Sequence, residues 1–423
     1  MSKQIKISVR NLVEFVLRSG NIDNTFMSTV RAVEGTKAHK KVQNSYGHEY
    51  TPEVTLKHIL NYEDFIIEVE GNHIIIDEIK STVKPLEEID EDYNILHWAQ
   101  GKCYGYIYAQ KNGIEEVGIQ LTYYNIETEE MKKFVRDYTF KELEEFFLSL
   151  IEKYLKWANR TFDWGEIRDI SIKGLKFPFK SYREGQRELA VSVYRTILDG
   201  KNLFTQAPTG IGKTISTMFP SIKAIGEGIT SKIFYLTAKT ITREVALNSI
   251  RQMAKHGLRI KSIVITAKDK ICLNEEVKCN PKDCPFAKGH FDRVNDAIMD
   301  VLDKEDIITR DIVIEYAKLH KVCPFEFSLD LSLWSDVIIC DYNYVFDPYI
   351  NLKRFFNENG NDYVFLIDEA HNLVERSRDM FSAKIMKEPF LKYKALFKDD
   401  YPYLSKSFNK CNSMMNKIRK EYV

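Results

Sequence analysis

Long apolar runs, net charge and close cysteine pairs are all missing from this chain of 423 residues. No apolar stretch approaches the roughly 20 residues that span a bilayer. The opening Met1-Ser-Lys-Gln-Ile-Lys-Ile7 has no apolar segment to read as a signal peptide, so no membrane role is expected. Lys+Arg and Asp+Glu stand at 61 each, which gives nucleic-acid binding no support from overall charge, although a local basic track would suffice. The 7 cysteines are an odd number without a CxxC pair, which argues against a disulfide framework and against a zinc ribbon. They suit metal binding in a reducing cytoplasm. Internal repeats and low-complexity tracts are absent as well. What is present is ordinary globular material, 44% hydrophobic and 29% charged, enough for two or three domains with cores of their own.

Residues 1 to about 165 mix short strands with helices. The β-branched runs 65–69 and 74–80 flank Glu70-Gly71-Asn72 and read as a hairpin, with a third strand near 116–124. Residues 93–110 and 139–158 read as helices. Breaks at Gly174 and Pro178 mark 166–182 as a linker. From 183 onward apolar strands alternate with helices, the signature of a parallel sheet. The expected strands are Leu203–Gln206, Ile233–Thr237, Asp336–Cys340 and Val364–Ile367, with a cysteine-bearing insertion over 262–330 between the second and third. After His371 the chain reads as helical, charged and free of motifs. The expected fold class is α/β.

Two motifs carry nucleotide chemistry. In Ala207-Pro-Thr-Gly-Ile-Gly-Lys-Thr214 a glycine-rich turn between strand and helix lets backbone N–H groups close around phosphate. Gly210 and Gly212 give the permissive backbone, Lys213 reaches the β/γ-phosphates, and Thr214 offers a hydroxyl to Mg²⁺. Ala207 stands where such loops often begin with glycine. In Val364-Phe-Leu-Ile-Asp-Glu-Ala-His371, Asp368 ends an apolar strand, where it can hold Mg²⁺, and Glu369 can polarise the attacking water. A glycine loop and a surface acid are the bland alternative; both motifs together, in this order and context, disfavour it.

This pairing resembles the superfamily 2 helicases. Phe177-Pro-Phe-Lys-Ser-Tyr-Arg-Glu-Gly-Gln186 is similar to the adenine-reading segment of the XPD/DinG family, which implies that Gln186 hydrogen-bonds the adenine edge. Tyr235-Leu-Thr-Ala-Lys-Thr-Ile-Thr242 is similar to the next motif, a turn that grips the DNA backbone, and Cys340-Asp-Tyr-Asn-Tyr-Val-Phe-Asp-Pro348 to a later segment. The resemblance covers about 177–423. It implies a RecA-like lobe over 183–376, ATP with Mg²⁺, single-stranded or forked DNA as partner, and the start of a helical arch domain over 377–423.

Cys272, Cys279, Cys284 and Cys323 follow the spacing Cys-x6-Cys-x4-Cys, a long insertion, then Cys-Pro. Four thiolates suit a [4Fe–4S] cluster, and the XPD/DinG resemblance implies one between the motor motifs, stiffening a wedge where strands part. Zinc and incidental core thiols are the other readings. Cys103, Cys340 and Cys411 lie outside the pattern.

In the first 165 residues, alternation along a strand sets Ile74, Ile76, Glu78 and Lys80 on one face. A carboxylate that holds a divalent metal and a lysine that orients water suit phosphodiester hydrolysis, although acid-x-lysine is also a common solvated edge. His39 in Gly35-Thr-Lys-Ala-His39 is a candidate ligand, and Gln100 and Tyr104 share a helix face. The order of these elements resembles the RecB-like PD-(D/E)XK nucleases, a restriction-endonuclease-like α/β fold, which implies Mg²⁺ or Mn²⁺ at Glu78. That family carries a metal-binding aspartate after a glycine. Asp64 has a fitting separation from Glu78 but follows Tyr62-Glu63; alternatively Gly71 is the family glycine and the aspartate-bearing stretch is deleted.

The expected activity is a cytoplasmic ATP-dependent DNA helicase acting in DNA repair, with a nuclease-like domain at its front. Only 52 residues follow His371, without a second sheet or arginine motif. The chain therefore reads as truncated before a second motor lobe and is expected to turn over ATP poorly. A non-catalytic DNA-binding remnant and a metal-dependent nuclease that uses the half-motor as a DNA grip are the alternatives. Protein partners, translocation polarity and oligomeric state have no signal in the sequence.

Overall fold

The computed structural model describes residues 7–23, 31–46, 50–51, 74–208, 210–238, 240–356 and 362–422. Asp64, Gly71 and the strand expected over 65–69 lie outside the described residues. Among the described residues no helix is long and apolar enough to cross a membrane. The fold class is α/β, as expected, and the chain divides into two compact units: residues 1–341 with 353–368, and residues 342–352 with 369–423.

The first unit opens with α1 (Val9–Val16), α2 (Arg31–Ser45), β1 (Ile74–Thr82), α3 (Ile95–Asn112), β2 (Glu116–Asn125), β3 (Met131–Thr139) and α4 (Phe140–Gly174). β2 is central, parallel to β1 and antiparallel to β3. Helices α1, α3 and α4 cover one face through Leu12, Val13, Tyr106, Leu143 and Leu150 against Ile119 and Leu121. Full burial of a leucine such as Leu143 contributes about 1.5–3 kcal/mol. α3 lies close on the sheet at Gly101, where a Cβ would stand 2.5 Å from Ile119 Cγ2. On the opposite face α2 packs Ala38 and Val42 on Ile79 and Tyr124.

Thr139 starts α4 with a capping box to Glu142, and the helix then runs for 35 residues. The expected end near 158 and the linker expected from 166 are therefore helix up to Gly174. The physical reason is a change of buried face. Leu143, Phe147 and Leu150 serve the first core, and Ile172 serves a second one. Between them Trp157 packs on Phe15 and Trp334, with ring centroids 4.9 and 4.8 Å away. Further along, Asp336 accepts from Arg168 Nη1 at 2.7 Å, Trp164 Nε1 at 3.1 Å and Lys261 N at 2.9 Å.

The second core belongs to a five-stranded sheet of order β6-β5-β7-β4-β8, all neighbours parallel. Its elements are α5 (Gln186–Leu198), α6 (Lys213–Gly226), β4 (Lys232–Thr237), α7 (Thr240–Ala254), β5 (Ser262–Val264), α8 (Lys268–Ile271), α9 (His290–Lys304), β6 (Ile307–Ile308), α10 (Arg310–His320), α11 (Pro324–Leu333) and β7 (Val337–Asp341). After α12 (Asn343–Phe346), which belongs to the other unit, α13 (Lys353–Phe356) and β8 (Tyr363–Ile367) complete it. β4 and β7 are apolar and buried along almost their whole length, as parallel strands covered on both faces must be.

Three expected strands match β4, β7 and β8. The fourth, Leu203–Gln206, is not a strand: residues 201–208 have no regular structure and Phe204 is 92% exposed. Only Leu203 and Phe204 of these four are apolar, such a short run becomes a strand only with a ladder partner, and among the described residues nothing pairs with it. The second unit holds α12, α14 (Asn372–Met380), α15 (Glu388–Leu396) and α16 (Pro402–Tyr422). α15 and α16 form a helical hairpin around Phe390, Tyr393 and Phe408.

Candidate functional site

The phosphate loop leads directly into α6. Gly210 and Gly212 both stand at φ 86, the left-handed region that favours glycine. Gly212 is the N-cap of α6, so Lys213 and Thr214 occupy the first helical turn, where N–H groups without helical partners and the helix dipole favour an anion. Tyr235 of β4 donates its hydroxyl proton to Thr214 Oγ1 at 3.4 Å. Behind the loop, Arg183 donates through Nη1 to Gly210 O. Gln186, 3% exposed at the start of α5, accepts from Arg183 N at 2.7 Å through Oε1. Its Nε2 lies against Gly212, where any Cβ would collide with it. Gln186 thus braces the turn that presents Lys213.

Asp368 follows β8 directly, and its N–H donates to Leu236 O at 3.0 Å, extending the β4–β8 pairing by one residue. The first unit therefore carries both the loop helix and this acidic strand end on the sheet that contains β4. Glu369 belongs to the other unit and stands at φ 54, a left-handed conformation uncommon outside glycine. Within that unit its carbonyl accepts from Tyr342 Oη at 3.1 Å and Asn372 Nδ2 at 3.0 Å, and His371 Nδ1 lies 3.5 Å from its Oε2.

Cys272 caps the C-terminus of α8, Cys279 and Cys284 sit in turns before α9, and Cys323 is the N-cap of α11. All four line one cavity of about 20 Å³, together with Ile22, Phe286, Ala287 and Phe325. That is room for about one water. Among the described residues no group of three His, Cys, Asp or Glu side chains is disposed to hold a metal ion; the cysteines share a cavity rather than a coordination sphere. Burial pushes the Cys323 thiol up to about 11, so without a cation beside it this thiol keeps its proton. Cys323 N donates to His290 Nδ1 at 3.1 Å, and burial holds that imidazole down at about 4, in the neutral form that accepts. Cys103 and Cys340 are buried in the two cores and Cys411 is exposed.

On the three-stranded sheet, β1 carries Glu78 and Lys80 two residues apart. Lys80 Nζ lies 2.7 Å from Glu78 Oε1 and donates to Gln100 Oε1 at 2.7 Å. Gln100, 3% exposed on α3, is therefore brought to the Glu-x-Lys face. Tyr104 stands one turn further along, its phenol pushed up by burial and then by the Glu78 charge. The sequence reading missed two neighbours. His97 on α3 is held down at about 3 by burial and by the positive charges of Lys80 and Arg10, and it is bonded to Tyr123 Oη at 2.9 Å. Arg10 comes from α1, where it pairs with Glu14 at 2.7 Å. The i,i+3 spacing of His97 and Gln100 is the one sequence signal that pointed to either. His39 lies on α2, which packs against the opposite face of β1 from Glu78 and Lys80. On that face Asp77 accepts from Tyr46 Oη at 2.6 Å and Thr122 Oγ1 at 2.7 Å.

Residues 230–390 match the family model DEAD_2. Over 270 residues the chain is 23% identical to a regulator of telomere elongation helicase 1 homolog of Drosophila virilis, covering 49% of this chain and 26% of that protein. Over 208 residues it is 25% identical to a probable ATP-dependent helicase of Methanocaldococcus jannaschii, covering 48% of this chain and 30% of the relative. Among solved structures, one titled XPD helicase aligns with 55% of this chain and 40% of its own at 19% identity and a TM-score of 0.37. The matched part spans under a third of the length of these two curated relatives. Residues 230–390 thus resemble the DEAD_2 family, and the curated relatives the chain resembles are helicases by name.

Proposed function

We propose that this chain is the ATP-handling part of a DNA helicase of the XPD/DinG type. One observation carries the reading: the helix that the glycine loop opens, α6, and the acid that ends β8 both meet the same strand, β4, through Thr214–Tyr235 and Asp368–Leu236. In this reading the loop N–H groups and Lys213 bind the β/γ-phosphates of ATP. Thr214 and Asp368 hold Mg²⁺, which when bound neutralises phosphate charge, and Glu369 orients the attacking water. Gln186 and Arg183 keep the loop in its left-handed turns. Single-stranded or forked DNA binds through phosphate contacts and base stacking, largely without sequence preference, in the service of DNA repair. Binding of a fluorescent ATP analogue with Mg²⁺ tests the reading. Lys213→Ala is expected to weaken it at least about tenfold, roughly 1.4 kcal/mol; equal binding by both proteins defeats the assignment.

The cysteine segment fits a thiolate-held [4Fe–4S] cluster by its donor set, four soft ligands around one apolar cavity. In this reading Cys272, Cys279, Cys284 and Cys323 hold it, and it stiffens the segment. Iron and labile sulfide near four per chain in anaerobically purified protein are expected, and their absence removes the cluster.

A second reading rests on the Lys80 contacts with Glu78 and Gln100, which support a nuclease-like α/β domain over residues 1–165. The donor set for Mg²⁺ or Mn²⁺ is incomplete: among the described residues no group of three His, Cys, Asp or Glu side chains is placed to hold a metal ion. No cleavage step is derived from it. Metal-dependent DNA cleavage that disappears in Glu78→Ala and persists in Lys213→Ala would make this domain a nuclease; binding without turnover of either kind would leave a DNA-binding remnant.

A further inference from the structure

Residues 18–22, far from the cysteines in sequence, run across the segment that bears Cys279 and Cys284. Ile22 is 5% exposed and packs on Cys284 and Ala287, lining the cavity with all four cysteines. Two backbone bonds hold the strap in register: Ile22 N donates to Ala287 O at 3.0 Å, and Phe291 N donates to Gly20 O at 3.0 Å. Two side-chain bonds flank them. Gly20 N donates to Asp292 Oδ1 at 2.7 Å, and Gly289 N donates to Asn21 Oδ1 at 2.7 Å. Asn21 and Asp292 thus tie the strap to the first turn of α9 and to its N-cap, Gly289. Upstream, Arg18 pairs through Nη1 with Asp330 at 2.7 Å and donates through Nε to Asn295 at 2.8 Å. Asn295 Nδ2 in turn donates to Phe15 O at 3.1 Å.

Each bond is worth about 0.5–1.5 kcal/mol net, and the set is directional. It holds Ile22 over Cys284 and Ala287. The 262–330 segment supplies the thiols, but the apolar wall opposite Ala287 comes from the start of the chain.

We propose that Gly20–Ile22 is a positioning element of the cysteine pocket: Asn21 and Gly20 lock the turn before α9, and Ile22 covers the Cys284 thiol. This rests on the cysteines being the ligand set described above only for what the pocket holds; the cover concerns the Cys284 thiol itself.

The test reads thiol modification by Ellman's reagent in the metal-free full chain, site by site by mass spectrometry. Exposed Cys411 serves as internal reference, and buried Cys103 and Cys340 report that both cores are intact. In Ile22→Asp the rate at Cys284 relative to Cys411 is expected to rise about tenfold or more, because local opening then exposes that thiol. Cys103 and Cys340 should stay unreactive. An unchanged ratio with silent core cysteines overturns the proposal. Should Ile22→Asp also expose Cys103 or Cys340, the milder Asn21→Ala decides: a selective rise of about threefold or more upholds the proposal, and none rejects it. Iron content of the parent protein is measured separately. Parent protein without iron refutes the cluster while leaving the strap result standing, and iron with unchanged thiol ratios does the reverse.

Discussion

The two sheets of the first unit build their polar sites in opposite ways. On the three-stranded sheet the site is made of side chains that already satisfy one another: Lys80 bridges Glu78 on its own strand and Gln100 on α3. On the five-stranded sheet it is made of backbone, two glycines at φ 86 leading into a helix N-terminus, with Gln186 and Arg183 as braces. The first is a closed arrangement that a ligand must disturb. The second sets a helix N-terminus, whose dipole favours an anion, directly after a glycine loop. The same chain thus holds one site sensitive to residue chemistry and one sensitive to conformation.

The largest effect is expected where α4 joins the two. Asp336→Ala removes the acceptor of Arg168, Trp164 and Lys261 and leaves the Arg168 guanidinium mostly buried and without that partner. Urea unfolding should show a loss of about 3–5 kcal/mol; a change below about 1 kcal/mol would mean the junction does not couple the sheets.

A pair of glycine substitutions sharpens the contrast. Gly101→Ala drives a Cβ into Ile119 and should cost about 1–3 kcal/mol of stability, with nucleotide affinity unchanged. Gly212→Ala forces a left-handed alanine against Gln186, and should weaken ATP-analogue binding about tenfold at a smaller cost in stability. If both variants lost affinity alike, the backbone-built description of the second site would fail.

The smallest effect is a slope. Burial holds His97 at about 3 and His290 at about 4, both below the ordinary 6.5. Between those values and about pH 6.5 the unfolded chain binds more protons than the folded one, so stability rises with pH and is lost on acidification. His97→Asn should flatten the dependence of Tm on pH between about 6.5 and 4, leaving the share due to His290. An unaltered slope would show that His97 is not the buried neutral group.

Much of the second sheet was legible in sequence because β4, β7 and β8 are continuous apolar runs, and the loop motif names its own helix start. Leu203–Gln206 misled because apolarity reports a wish for burial and not the presence of a pairing strand. α4 was read short because its buried stripe shifts from Leu143, Phe147 and Leu150 to Ile172, so no single period covers it. Of the residues around the Glu-x-Lys pair, Glu78, Lys80 and Gln100 were readable from strand and helix spacing. Arg10 was not, because it arrives from a helix distant in sequence, and the α2 packing that carries His39 to the other face depends on tertiary structure. The four cysteines were legible as a set, whereas Ile22, which shares their cavity, has no motif at all.

At 1.5 Å per residue the unbroken helix from Phe140 to Gly174 is about 50 Å long. A cut at residue 165, where composition suggests a boundary, would sever it mid-shaft. Each fragment would then keep a stump whose apolar side had lost its counterpart, and both would be poor candidates for separate expression. An incision after Gly174 keeps the spar whole but takes Ile172, Trp164 and Arg168 away from the second sheet, so both sheets are best kept on one polypeptide.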